Sequence, residues 1–171
     1  MTGDTAELIV APLDGAHRRN DFSCGVPALD DYLHKQAGQD VRRRANGVFI
    51  LVNRSDPADV LGYYTLCATA LPPGEIPDAA RAHLPRYPLV SATLIGRLAV
   101  ASGHQGKRLG AVLLADALQR ALASADTVGS SMVVVDALND QAAAFYAAHG
   151  FLALPGSPRL VLPMRTVARM S

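Results

Sequence analysis

Cysteine is nearly absent from the 171 residues, with only Cys24 and Cys67 present. Two cysteines do not make a disulfide framework, and no Cys/His grouping has the tight spacing of structural zinc. Both read as free thiols in a reducing compartment. Charge of one sign is equally scarce: 16 basic and 15 acidic residues leave a formal charge of +1. That excludes a generally basic nucleic-acid coat, though not a local patch. No apolar run approaches the ~18–20 residues of a membrane-crossing helix. Met1 to Glu7 is polar and acidic, unlike a signal peptide, and a cytoplasmic protein is expected. Internal repeats and linkers are missing, and Gly (14) and Pro (11) stay near ordinary usage, which excludes collagen-like and low-complexity chains.

Several catalytic signatures are missing too. There is no His-Glu-x-x-His and no His pair at i,i+4 spacing, so no metal is expected. A Gly-x-Ser-x-Gly elbow is absent, which leaves a serine hydrolase little support. Cys24 has no evident His partner and reads as packed beneath the first helix. Neither Gly-x-x-x-x-Gly-Lys-Ser/Thr nor Gly-x-Gly-x-x-Gly occurs, so the chain has neither a P-loop nor a dinucleotide fingerprint.

Half of the residues are hydrophobic and 18% are charged, enough apolar surface for one folded domain over residues 1–171. Glu7–Leu13 reads as a first strand. A helix from Pro27 follows, since proline suits a first helical turn, with Leu29, Tyr32, Leu33 and Gln36 at helical spacing to about Gly38. A second short helix is expected at Asp40–Ala45. Gly47–Val52 and Val60–Ala70 read as an antiparallel hairpin. Leu71–Pro88 is a proline-rich excursion with one helical turn at Asp78–His83, and a loop this long in a compact domain usually carries function. A long strand, Leu89–Val100, then leads through Ala101–Arg108 into a mostly buried helix from Leu109 to about Ser124, with Asp116, Gln119 and Arg120 as its polar stripe. Met132–Ala137 is a strand. Asn139 can cap a helix at Asp140–His149, and Gly150 supplies a left-handed stop. Phe151–Leu154 and Arg159–Leu162 close the chain as short strands. The order is β-α-α-β-β-β-α-β-α-β-β, a mixed α/β domain.

Chemistry concentrates at Gln105-Gly106-Lys107-Arg108-Leu109-Gly110-Ala111. A helix's first turn presents backbone N–H groups without internal acceptors, and its dipole is positive there. Small residues let an anion approach the main chain, and Lys107 and Arg108 add two full charges. A pyrophosphate fits this turn. An ordinary strand-to-helix turn, with glycine for tight packing, fits it as well. Phe145 and Tyr146 point about 100° apart on their helix. Phe145 suits the core, which leaves Tyr146 free to aim its hydroxyl at a cleft. The other reading buries both rings and bonds the hydroxyl to a carbonyl.

Taken together, these segments resemble the GNAT family of acetyl-CoA-dependent N-acetyltransferases. The family's turn, Gln/Arg-x-x-Gly-x-Gly/Ala, corresponds to Gln105 through Gly110, with Arg108 where a glycine is usual. Its late motif, Asn-x-x-Ala-x-x-Phe-Tyr-x-x-x-Gly-Phe, is matched by Asn139, Ala142, Phe145, Tyr146, Gly150 and Phe151. The resemblance implies the GNAT fold, a mixed and mostly antiparallel central sheet flanked by helices. It implies acetyl-CoA as cosubstrate, held by Leu98, Ala99, Val100, Gln105, Gly106, Lys107, Arg108, Leu109, Gly110, Ala111, Asn139 and Phe145. Arg108 is expected to swing outward onto a CoA phosphate. Tyr146 is the implied catalytic acid toward the leaving thiolate.

A narrower likeness joins Phe22-x-Cys24-Gly25-x-x-x-Leu29-Asp30-x-Tyr32-Leu33 to the N-terminal signature of the GNAT toxins of type II toxin–antitoxin systems. Leu61–Leu66, Leu84–Pro88 and Leu94–Val100 are similar to further segments of that subfamily. The resemblance implies acetylation of the α-amine of aminoacyl-tRNA, arrest of translation, a ribbon-helix-helix-type antitoxin, and a homodimer. Charge is compatible with this. From Ala79 to Ala115 the chain has basic residues and no acidic one. Arg42, Arg43, Arg44, Arg86 and Arg97 are candidate tRNA contacts, although a three-arginine run also reads as a solvated helix end. No general base stands out. A free α-amine, with a pKa of ~7.7–8.0, needs little help to lose its proton. Two other readings remain: a GNAT acting on a small amine or protein N-terminus, and a non-catalytic acyl-CoA-binding module.

Overall fold

A computed structural model describes residues 7–82, 84 and 86–170. Hydrogen bonding orders seven strands as β1-β2-β3-β4-β5-β7-β6. They are β1 (Leu8–Pro12), β2 (Gly47–Asn53), β3 (Gly62–Leu71), β4 (Val90–Val100), β5 (Met132–Asp136), β6 (Leu152–Ala153) and β7 (Arg159–Pro163). The pairs β1/β2, β2/β3, β5/β7 and β6/β7 are antiparallel, and β4/β5 is parallel. The helices are α1 (Pro27–Asp31), α2 (Ala37–Arg42), α3 (Asp78–Arg81), α4 (Leu109–Val128), α5 (Asp140–Ala148) and α6 (Met164–Met170). The chain divides into two compact units. One holds the residues up to Leu66 together with Arg97–Ala117, and the other holds Cys67–Gly96 together with the residues from Leu118.

In the first unit, alternation along β2 and β3 sorts side chains by face. Val48, Ile50, Val52 and Tyr63 pack with Phe22 and Cys24, which precede α1, and with Leu33 and Ala37 of the helical segment. On the opposite face Phe49 stacks on Tyr64 at 5.1 Å. The two helices expected before β2 form one continuous helical run: α1 and α2 are joined by a π-helical turn at Tyr32–Gln36. The second helix therefore starts at Ala37 rather than Asp40. Strand β3 begins at Gly62 rather than Val60. A Cβ at Gly62 would lie 2.8 Å from the Ala99 carbonyl oxygen and 2.9 Å from Leu113 Cδ1, so only glycine lets the backbones approach this closely.

In the second unit Leu71, Ile76, Val90, Met132, Val134, Leu154 and Val161 form the core. Strand β5, central between β4 and β7, is buried from Met132 to Val135, as in a strand covered on both faces. The Asn139 side chain accepts from the Ala142 N–H at 2.9 Å and caps α5, and Gly150 follows with φ +96. Helix α4 runs on to Val128, past the expected end at Ser124. The helical turn expected at Asp78–His83 spans Asp78–Arg81, and His83 lies outside the described residues. Helix α6 extends the expected order: Met164 and Val167, three residues apart, are its buried contacts. Among the described residues no helix is long and apolar enough to cross a membrane, and no group of three or more His, Cys, Asp or Glu could hold a metal ion.

Candidate active site

The anion turn belongs to the first unit. After β4 a single 3-10 turn, Ser102–His104, delivers the chain to Gln105. Gln105 is held to the protein itself: its amide nitrogen donates to the carbonyls of Cys24 (2.9 Å) and Val100 (3.1 Å). Through these bonds the side-chain amide anchors the turn to the end of β4. Gly106 adopts φ +84 and Arg108 adopts φ +62. The left-handed region explains why glycine suits position 108. An arginine there keeps the backbone shape and sends an exposed guanidinium outward. The first helical bond of α4 runs from the Val112 N–H to the Arg108 carbonyl. Among the described residues the N–H groups of Leu109, Gly110 and Ala111 therefore have no acceptor, the donor set an anion needs. Lys107 is exposed and its Nζ donates to His104 Nδ1 at 3.3 Å.

Leu98, Ala99 and Val100 end β4. The parallel register of β4 with β5 covers Thr93–Ile95 against Val133–Val135, so these three residues lie beyond it.

Tyr146 belongs to the second unit. The expected burial of its helix pair is reversed: the Tyr146 ring is 7% exposed, whereas Phe145 is half-buried and rests 4.6 Å from the His149 ring. The chain reversal at Gly150 is the cause, because it brings Phe151 edge-on to Tyr146 at 5.5 Å. Burial alone pushes the phenol up to about 12. Its hydroxyl has no partner among the described residues, yet it is not sealed; the one sealed, unpartnered side-chain polar atom there is Thr65 Oγ1. Such a phenol is a protonated donor at neutral pH with its donor capacity unused. His149 Nδ1 bonds the Phe145 carbonyl at 2.8 Å at the end of α5. Asn139, expected at the cofactor, has its carbonyl oxygen occupied as the α5 cap.

Burial pushes the Cys24 thiol up to about 11, which disfavours a nucleophilic thiolate, and neither cysteine is in a disulfide. Of the arginines proposed for RNA, Arg97 has an internal partner: its guanidinium lies 3.6 Å over the Tyr32 ring. Arg42, Arg43 and Arg44 are exposed at the end of α2, and Arg44 is left-handed at φ 57. That is the geometry of a helix stop. Arg86 is exposed in the second unit. Sequence reasoning missed the polar network behind Arg97. Asp40 accepts from Tyr32 Oη (2.8 Å), Gln36 Nε2 (3.0 Å) and Asn46 Nδ2 (3.0 Å), which holds its carboxyl below the usual range. The i,i+4 and i,i+8 spacing of Gln36, Tyr32 and Asp40 was the available signal.

Comparison with known proteins places this geometry. The model of the acetyltransferase (GNAT) family matches residues 26–151. The chain belongs to the GNAT acetyltransferase family. As a GNAT chain it is 33% identical, over 96% of its length and 95% of the relative's, to the tRNA-acetylating toxin of Mycobacterium tuberculosis. Among solved structures it is similar to the toxin AtaT complexed with acetyl-methionyl-tRNA, with TM-score 0.87, 28% identity, and 95% and 98% of the two chains covered. It also resembles a tyrosine-to-phenylalanine variant of AtaT bound to the C-terminus of the antitoxin AtaR and acetyl-CoA, with TM-score 0.80, 26% identity, and 96% and 98% covered.

Proposed function

We propose that this chain is a cytoplasmic toxin that transfers the acetyl group of acetyl-CoA to the α-amine of aminoacyl-tRNA, and so blocks translation. The likeness to a tRNA-acetylating toxin along nearly the whole chain carries the reading; the open amides of Leu109–Ala111 and the unpaired phenol of Tyr146 support it.

The amides of Leu109, Gly110 and Ala111 receive the CoA diphosphate, with Gly106, Lys107 and Arg108 around it. The main chain of Leu98–Val100 receives the pantetheine arm, and Phe145 borders the site. A backbone N–H near Val100 holds the oxyanion of the tetrahedral intermediate. The neutral α-amine attacks the thioester carbonyl, the C–S bond breaks, and Tyr146 gives its proton to the departing thiolate. A lysine amine, with a pKa of ~10.4, would need a base that this site does not offer. The proposed partners are aminoacyl-tRNA, an antitoxin of ribbon-helix-helix type, and a second copy of the chain. Arg42, Arg43, Arg44, Arg86 and Arg97 remain the candidate RNA contacts, with Arg97 acting from its seat on Tyr32.

Mass spectrometry of charged tRNA after incubation with acetyl-CoA tests the reading. An acetyl group on the aminoacyl α-nitrogen is expected. Acetylation confined to small amines or protein N-termini would reject it.

A further inference from the structure

Helix α6 and the proline-rich excursion both belong to the second unit, and between them they carry four arginines. A cavity of ≈ 530 Å³ is lined by Arg81, Arg86, Tyr87, Leu84 and Ala82 among others. A second, of ≈ 390 Å³, is lined by Arg165, Arg169, Thr166, Ser131, Leu84 and Ala82. The two cavities share Ala82 and Leu84, so they are neighbours on one surface. Arg165 and Arg169 are exposed and stand one helical turn apart, which puts them on the same side of α6. Neither they nor Arg86 form an ion pair with a described residue, whereas Arg81 pairs with Asp78. Asp78 is the one acidic side chain lining either cavity, and residues 152–171 contain no acidic residue at all. Tyr87 is 66% exposed, an aromatic face that nothing in the fold uses.

We infer that this surface binds the sugar-phosphate backbone of the RNA substrate through Arg165 and Arg169, continues it through Arg86, and stacks an unpaired base on Tyr87. The inference rests on the proposed function and adds Arg165, Arg169 and Tyr87 to Arg86, already a candidate RNA contact. Unneutralised arginines set along a surface match repeated phosphates, and an open aromatic ring among them matches an unstacked base. An acidic peptide would satisfy the arginines but gives the exposed tyrosine no role.

The test uses the full chain with charged tRNA and, separately, with an aminoacyl-adenosine that carries the acceptor amine without the tRNA body. In Arg165→Ala/Arg169→Ala the KM for charged tRNA should rise about tenfold or more. The kcat, and the KM for aminoacyl-adenosine, should stay unchanged. The dependence of log K on log salt should become shallower by ~0.7–0.9 per arginine removed. Lysine at both positions should restore most of that slope, and Tyr87→Ala should weaken tRNA binding without altering it. Unchanged tRNA kinetics and slope in the double variant would overturn the inference. So would variants that keep tRNA binding but lose the antitoxin, which would assign the surface to a protein partner. If the unmodified protein does not acetylate charged tRNA, the proposed function fails on its own, and filter binding of uncharged tRNA to the same variants still decides whether this surface holds RNA.

Discussion

On the proposed function, Tyr146 and Arg108 each make a separable prediction. Replacing Tyr146 with Phe removes the proton donor but keeps the ring between Phe145 and Phe151. Turnover should fall about 10²–10⁴-fold with acetyl-CoA affinity unchanged in calorimetry; unaltered kcat would remove the phenol from the reaction. Because burial lifts this phenol to about 12, it stays protonated through neutral pH. The pH profile of kcat/KM should therefore rise as the acceptor amine loses its proton, near pH ~7.7–8.0 or below, with no falling limb from the phenol before pH ~10. Arg108→Gly should keep the fold, since the φ of +62 is free for glycine. It should loosen acetyl-CoA by about 1–2 kcal/mol, read by calorimetry, through loss of a charge-assisted contact to phosphate. The sequence made the turn and the tyrosine legible because both sit in spaced motifs. It did not reveal that the Gln105 amide is spent within the protein, since its two acceptors, the carbonyls of Cys24 and Val100, come together only in the fold.

At the scale of elements, the π-helical turn joins α1 to α2 and sets Tyr32 between Asp40 and Arg97. Such turns are uncommon and gather at functional positions. Tyr32→Phe keeps the ring under Arg97 and deletes one hydrogen bond, so the expected loss is about 1 kcal/mol in urea unfolding. Arg97→Ala should weaken the same segment, and a double-mutant cycle should detect coupling between the two positions. Alkali acts on these elements as well. Burial raises Tyr32, Tyr63, Tyr146 and the Cys24 thiol above their ordinary values. Each of these groups binds its proton more tightly in the folded chain than in the unfolded one. Their stabilisation is intact below the unfolded values and is lost as pH climbs through the folded ones. The urea midpoint should therefore fall from about pH 9 upward; a flat midpoint to pH 11 would contradict this. Strands β2, β4 and β5 were readable because their apolar runs end at turn residues. The single helix through residues 27–42 was not, because Gly38 and Asp40 look like punctuation, whereas in the fold Arg19 packs over Gly38 and Asp40 collects three donors.

For the molecule as a whole, a formal charge of +1 means that the proposed RNA affinity must come from local arginines rather than from a general field. Association with tRNA should weaken steeply with added salt, although the protein is nearly neutral overall. The overall order of elements was legible because helical and strand periods alternate clearly. Helix α6 escaped it because seven residues after Pro163 hold too few turns to display a period. The arginine surface was legible only at Arg86, inside Leu84–Pro88; Arg165 and Arg169 lie far from it in sequence and in no spaced motif.

Gly62 has a consequence for cells that carry the gene. Any side chain at this position meets the Ala99 carbonyl and Leu113, so nearly every missense change of its codon should inactivate the protein while leaving Tyr146 and the anion turn intact. Colonies that outgrow forced expression without antitoxin should be enriched, on sequencing, for lesions at codon 62, and the encoded proteins should be depleted in the soluble fraction. A selection that spared this codon would mean that the two backbones separate more readily than their packing implies.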